Sequence, residues 1–181
     1  MDVIGIIGPI GAGKDTAAEY LAAKLGIPHF QISAVLKYIA QEKGIPLDRK
    51  YLIALSNTLV TEYHDGYLAE YILQYWAGDA QRCIISGMRH LGQIAYLKQH
   101  SNLTLIALDA DPLLRFQRAD MRGRLGEATT LAAFINDEQI ENSPPNNQRL
   151  FQCMALADYM IVNDGGLQGL WGKLDEIASG F

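Results

Sequence analysis

Apolar residues along the chain gather into five short runs, and the stretches between them carry helical spacing. The first run, Val3-Ile4-Gly5-Ile6-Ile7, is continuous and rich in β-branched residues, which predicts a strand buried on both faces. His29-Phe30-Gln31-Ile32, Arg82-Cys83-Ile84-Ile85-Ser86, Leu103 to Leu108 and Tyr159 to Asn163 read as four further strands. Between them the pattern predicts helices over Asp15–Leu25 and from a Ser33 cap to about Lys43, ended by Gly44. Asp48 caps another, with Leu52, Leu55 and Leu59 on one face, and Asp65-Gly66 separates it from an aromatic-rich helix over Tyr67–Tyr75. Later helices are expected near Gly92–Gln99, from Asp111-Pro112, from Thr130, over Gln148–Ala157 and over Leu167–Ile177. Asn142 to Asn147 is a loop. Strands alternating with helices imply a parallel sheet covered on both faces and joined by right-handed crossovers. Ligands in such sheets sit beyond the carboxyl ends of the strands. The loops after Ile7, Ile32, Ser86, Leu108 and Asn163 are therefore expected to rim one cleft.

Composition narrows the picture. A chain of 181 residues, 49% hydrophobic and 19% charged, is expected to form one domain, residues 1–181, with a sizeable core. A net charge of −5 argues against general binding to nucleic acid or a membrane surface. Cys83 and Cys153 lie in apolar surroundings and read as buried free thiols. The opening Met-Asp-Val-Ile has no basic segment and its apolar run is too short to span a bilayer, so a cytoplasmic protein is expected.

The turn after the first strand carries the chemistry. Gly8-Pro9-Ile10-Gly11-Ala12-Gly13-Lys14 has the spacing of a phosphate-binding loop, strand before it and helix after it. The glycines let successive backbone N–H groups curl into an anion nest, the helix adds the positive end of its dipole, and Lys14 adds a point charge. Gly8, Gly11, Ala12, Gly13, Lys14, Asp15 and Thr16 are thus the candidate donor-nucleotide residues. Asp15 stands where a hydroxyl that binds Mg²⁺ is usual. A carboxylate is also an oxygen ligand suited to Mg²⁺; the alternative is a first-turn acid favoured by the dipole.

Arg115, Arg118 and Arg122, at offsets of three and four, would share one helix face and form a clamp for phosphates. The alternative is a solvated basic face with Asp111 paired to Arg115. Arg124 extends the cluster into a Gly-flanked segment with the character of a lid. Arg89, just past the third strand, is a candidate for holding the acceptor's phosphate, with Arg49 and Lys37 weaker candidates from the helical region before it. Asn163 faces either a purine edge or its own Asn-Asp-Gly turn. Asp109 and Asp111 are the possible second Mg²⁺ carboxylates, because the third strand ends in Ser86. His29, His64, His90 and His100 lack ligand spacing and read as structural or solvated. Tyr63, Tyr67, Tyr71, Tyr75 and Trp76 read as core or interface packing, the alternative being a base stacked on Tyr67 or Tyr71.

These residues together resemble the small P-loop nucleotide kinases, in particular the adenylate kinase-related and dephospho-CoA kinase-like group. The resemblance spans nearly the whole chain: the loop, Ser33-Ala34-Val35-Leu36, Arg49 with Asn57, Gly87-Met88-Arg89, Asp109 to Phe116, and Ala155-Leu156-Ala157-Asp158-Tyr159 leading into Asn163. The Gly-Lys-Asp-Thr ending is similar to that of certain deoxynucleoside monophosphate kinases. The resemblance implies a three-layer α/β/α P-loop fold with a five-stranded parallel sheet, a helical acceptor region (33–78) and a short lid (119–147). It implies ATP with Mg²⁺ as donor and a nucleoside or deoxynucleoside monophosphate, or a related small molecule, as acceptor. Lys14 would hold the donor phosphates; Arg115, Arg118 and Arg122 would supply lid charge; Ser33, Arg49 and Arg89 would hold the acceptor; Asn163 would lie by the adenine. Many relatives carry Asp where this chain has Ser86, a departure that bears on metal binding and turnover and, with Asp15, supports a nucleotide-binding regulator as the alternative. A dephospho-CoA kinase-like activity, with Asp15 the nearest carboxylate to serve as base, and a slow NTPase are the others.

Overall fold

The computed structural model describes residues 1–123, 128–144 and 148–180. Five strands form one parallel sheet: β1 (Asp2–Ile7), β2 (His29–Gln31), β3 (Arg82–Ser86), β4 (Asn102–Asp109) and β5 (Tyr159–Val162), in the order β2-β3-β1-β4-β5. The register pairs Ile6 with Ser86, Gln31 with Ser86, Ile7 with Ala107 and Asp109 with Val162, so the carboxyl ends of all five strands lie along one edge. The central strand β1 is the most apolar, and Val3, Ile6 and Ile7 have no exposed surface.

Helices cover both faces. α1 (Lys14–Leu25) and α9 (Leu167–Ala178) pack Ala17, Ala18, Leu21, Leu170 and Leu174 against Ile4, Ile6 and Ile106. The other face receives α2 (Ile32–Glu42), α3 (Arg49–Glu62), α4 (Tyr67–Tyr71), α5 (Leu91–His100) and α8 (Leu150–Met154), whose Val35, Leu55, Leu59, Ile94, Leu97 and Leu150 meet Val3, Ile7 and Ile85. α6 (Pro112–Asp120) and α7 (Leu131–Glu141) pack against each other, with the Phe116 and Phe134 ring centroids 5.7 Å apart. Asp111 caps α6 by accepting from Leu113 and Leu114, with Pro112 opening the helix, and Thr130 caps α7 by accepting from Ala133 N–H.

The element order and the three-layer sheet are as the sequence implies. Three details differ. Ile32 already belongs to α2, whose cap is Gln31 rather than Ser33; Ser33 lies inside the first turn. The aromatic helix changes at Ile72 into a π-helical turn over Ile72–Trp76, which lets Tyr71 meet Trp76 edge-on at 6.3 Å. α6 ends at Asp120, so Arg122 lies in the turn after it. Cys83 and Cys153 are free and buried, and burial pushes their thiols up to about 11 and about 12. Among the described residues no helix is long and apolar enough to cross a membrane.

Candidate active site

The segment from Gly8 to Lys14 wraps the start of α1. Gly13 caps the helix in the left-handed region, at φ +95°, and offers no side chain to its first N–H groups. A helix start without a side-chain cap is suited to binding an anion. Gly11 sits at φ +78° against the backbone of Arg115, so a Cβ there would overlap the Arg115 carbonyl oxygen. Only glycine combines that conformation with that approach.

Three elements brace the loop. Asn163 at the end of β5 donates its side-chain amide to the Ala12 carbonyl at 2.9 Å, and its own N–H bonds Asp109 O at 2.7 Å. Arg115 is 4% exposed. It donates to both oxygens of Glu138 at 2.7 and 2.9 Å, to Ala110 O at 3.1 Å and to Ile10 O at 3.4 Å. Asp109 lies 3.5 Å from the same guanidinium; Asp111, offered by the sequence as its partner, is the helix cap instead. Arg118 donates to Asn163 O at 2.9 Å and more weakly to Gly11 O and Gly165 O.

Two cavities flank the loop. One, of about 300 Å³, is lined by Gly13, Thr16, Arg118, Met121, Arg122, Asn163, Gly165, Gly166, Leu167 and Leu170. Its backbone-rich walls with apolar Met121 and Leu170 suit a flat heterocycle joined to a polar tail. The other, of about 260 Å³, brings together Lys14, Asp15, Glu19, Gln31, Ser33, Lys37, Arg49, Ser86, Arg89 and Arg122. It opens through Ser33, Lys37, Arg49 and Arg89 into a neighbouring cavity of about 280 Å³, where Leu36, Leu52, Ile53 and Leu68 add apolar surface and Ser56, His90 and Gln93 add polar groups. Arg122 borders both sides of the loop.

The arginines of the second cavity are held by an acid that the sequence reading did not single out. Glu141, at the end of α7, accepts from Arg49 Nε at 2.8 Å and from its terminal nitrogen, and from Arg89 Nη1 at 3.1 Å. Gln148 accepts from the same Arg89 nitrogen at 3.0 Å. Burial draws the Arg89 guanidinium below its ordinary value, against the pull of Glu141. Arg89 is also fixed through its backbone, by Gln93 Oε1 at 2.9 Å and by Arg149 N–H at 2.8 Å. Glu138 and Glu141, three residues apart, share a face of α7; in sequence they look like an ordinary solvated face.

At the β3 end, Ser86 Oγ lies 2.8 Å from His29 Nε2. Burial holds His29 below its ordinary value, although the Asp15 and Glu19 carboxylates pull it the other way. Asp15 and Glu19 sit one turn apart on α1, facing the cavity that Lys14 lines. Glu19 is the carboxylate beside the loop that the sequence did not supply. Among the described residues no group of three or more His, Cys, Asp or Glu is arranged to hold a metal ion unaided. Two hard oxygen donors beside a phosphate nest nevertheless fit Mg²⁺, which keeps several waters and takes further ligands from phosphates. Arg124, and part of the expected lid with it, lies outside the described residues.

This sheet order, glycine-capped helix and cation-rich cleft define a nucleotide-binding P-loop protein with a kinase-like fold. The chain belongs to the AAA domain family, whose model matches residues 4–141, and to the UPF0200 proteins, being 30% identical to that of Methanococcus maripaludis over 178 residues, 97% of this chain and 94% of the relative. Among solved structures it is similar to shikimate kinase from Acinetobacter baumannii in complex with shikimate, with a TM-score of 0.64, 17% identity, and 98% and 93% of the two chains covered. It is also similar to a gluconokinase from Sinorhizobium meliloti, with a TM-score of 0.54, 14% identity, and 99% and 94% covered.

Proposed function

We propose that the protein transfers the terminal phosphoryl group of ATP to a small acceptor, with a nucleoside or deoxynucleoside monophosphate as the acceptor class. The observation that carries this reading is the single cavity shared by Lys14 of the phosphate loop and by Arg49 and Arg89. It sets a site for a donor's terminal phosphate directly against a site for a second anion. Phosphoryl transfer demands little covalent work from the protein; alignment and charge neutralisation carry it.

The loop amides from Gly11 to Lys14, with Lys14 itself, hold the β- and γ-phosphates. Thr16 and the cavity around Asn163, Gly165 and Leu170 take the nucleoside end. Arg122, bordering both cavities, is the residue suited to charge developing between donor and acceptor. Arg118 and Arg115 contribute as braces of the loop, because their donors are engaged by Asn163 and Glu138. Asp15 and Glu19 would hold Mg²⁺, which when bound neutralises phosphate charge and polarises the transferring group. Ser33, Lys37, Arg49 and Arg89 orient the acceptor's phosphate, while Leu36, Leu52 and Ile53 shelter its uncharged body from water.

A kinase that accepts a phosphate needs no general base, and Glu141, the acid beside Arg49 and Arg89, is already paired with both. The test is product analysis with ATP and Mg²⁺ over nucleoside monophosphates, deoxynucleoside monophosphates and dephospho-CoA. The reading expects diphosphate formation from at least one monophosphate. ATP binding without product from any acceptor would favour a nucleotide-binding regulator, and phosphate release independent of acceptor would favour an NTPase.

A further inference from the structure

Glu141 engages both arginines assigned above to the acceptor. Its residue is only 7% exposed. Its carboxylate bridges Arg49 and Arg89 within the wall of the same cavity that Ser33 and Lys37 line. Two guanidiniums approach one another there from α3 and from the turn after β3, and each uses this one carboxylate to offset the other. Lys37, Arg49 and Arg89 against one carboxylate still leave the site net positive. This charge balance is suited to a dianion.

We propose that Glu141 is a specificity-determining residue: a tethered carboxylate that yields the Arg49–Arg89 pair to a phosphomonoester and withholds it from a carboxylate. The proposal rests on the reading of this cavity as the acceptor site. A tethered group acts at an effective concentration of order millimolar. A free monocarboxylate offers the same charge and the same bidentate geometry, so replacing Glu141 gains it nothing. A phosphomonoester carries roughly −1.5 to −2 charges near neutral pH and three acceptor oxygens, enough to engage both guanidiniums and Lys37 together. The carboxylate then leaves the pair, and selection between two anion classes follows from competition within the chain.

The test uses the full chain carrying Lys14→Ala, which removes the phosphate-loop lysine as a competing cation, and titrates inorganic phosphate and acetate by calorimetry. Phosphate is expected to bind and acetate is not. Glu141→Gln should tighten phosphate at least fivefold and bring acetate binding into range. Glu141→Asp, shorter by one methylene, should tighten phosphate by a smaller factor, and carries the test if the Gln variant does not fold by circular dichroism. Unchanged or weaker phosphate affinity in the folded variants would overturn the role given to Glu141. A scaffold that merely positions the arginines predicts that weakening. Arg89→Ala is the separate control: it should weaken phosphate binding at least tenfold, leaving only what the loop amides hold, and an unchanged affinity would remove the acceptor-site reading itself.

Discussion

Asn163 and Ala12, 151 positions apart in sequence, are joined by one hydrogen bond of 2.9 Å from the Asn163 amide to the Ala12 carbonyl. It ties the last strand to the phosphate loop, and the missing Cβ of Gly13 leaves the amide its room. The side chain expected at the base of a purine thus has its N–H engaged in shaping the anion nest.

Asn163→Ala leaves a buried carbonyl without its donor, which costs about 1–3 kcal/mol. Thermal unfolding should report that loss, and an ATP titration should show affinity falling about tenfold as the loop loosens. Asn163→Asp should do no better, because a carboxylate presents no donor to Ala12 O.

Arg115 and Arg122 separate structure from chemistry. Arg115→Ala strands Glu138 beside a buried loop and should destabilise the fold by about 3–5 kcal/mol, with activity lost through the fold. Arg122→Ala, in an exposed turn, should leave the melting temperature within about 1–2 °C of the parent, an effect of at most about 0.5 kcal/mol. Its turnover number should fall at least 100-fold. Paired melting and steady-state measurements decide it.

Much of this arrangement is legible in the residues alone. The glycine spacing, the buried β1 run and the alternation of elements lead to the sheet and to the loop at its carboxyl edge. Local signals worked where the cause is local: the caps at Asp111 and Thr130 are set by their own side chains. What escaped are pairings between elements distant in sequence. Glu138 and Glu141 meet Arg115, Arg49 and Arg89 only because α7 folds back over the cleft, and no spacing rule links positions 49 and 141. The three arginines resemble one basic stripe in sequence, yet the first turns inward to Glu138 and the third lies past the helix end.

The pH dependence of stability should carry a signature of His29. Burial holds its folded-state value below the ordinary 6.5, so the neutral ring is the native form. The unfolded chain binds a proton first as pH falls through 6.5, and stability is lost from there down toward the lower folded value. Above that window the contribution is fully present. Urea titrations from pH 8 to about pH 5 should show this decline, and His29→Gln should flatten it.

Asp15→Asn and Glu19→Gln should each raise the Mg²⁺ concentration needed for half-maximal turnover, by about fivefold or more, with ATP affinity in the absence of metal unchanged or improved. The metal-free arm matters, since removing a carboxylate beside the nest relieves repulsion with the phosphates. Equal Mg²⁺ requirements in parent and variants would return both acids to a purely helical role.

The most direct measurement is phosphoryl transfer from terminally labelled ATP to a panel of monophosphates, run side by side with the parent and Lys14→Ala. A working cradle predicts labelled diphosphate from the parent and a loss of at least 1000-fold in the variant, about 4 kcal/mol of transition-state stabilisation. Equal transfer by both, with the variant still folded, would contradict it.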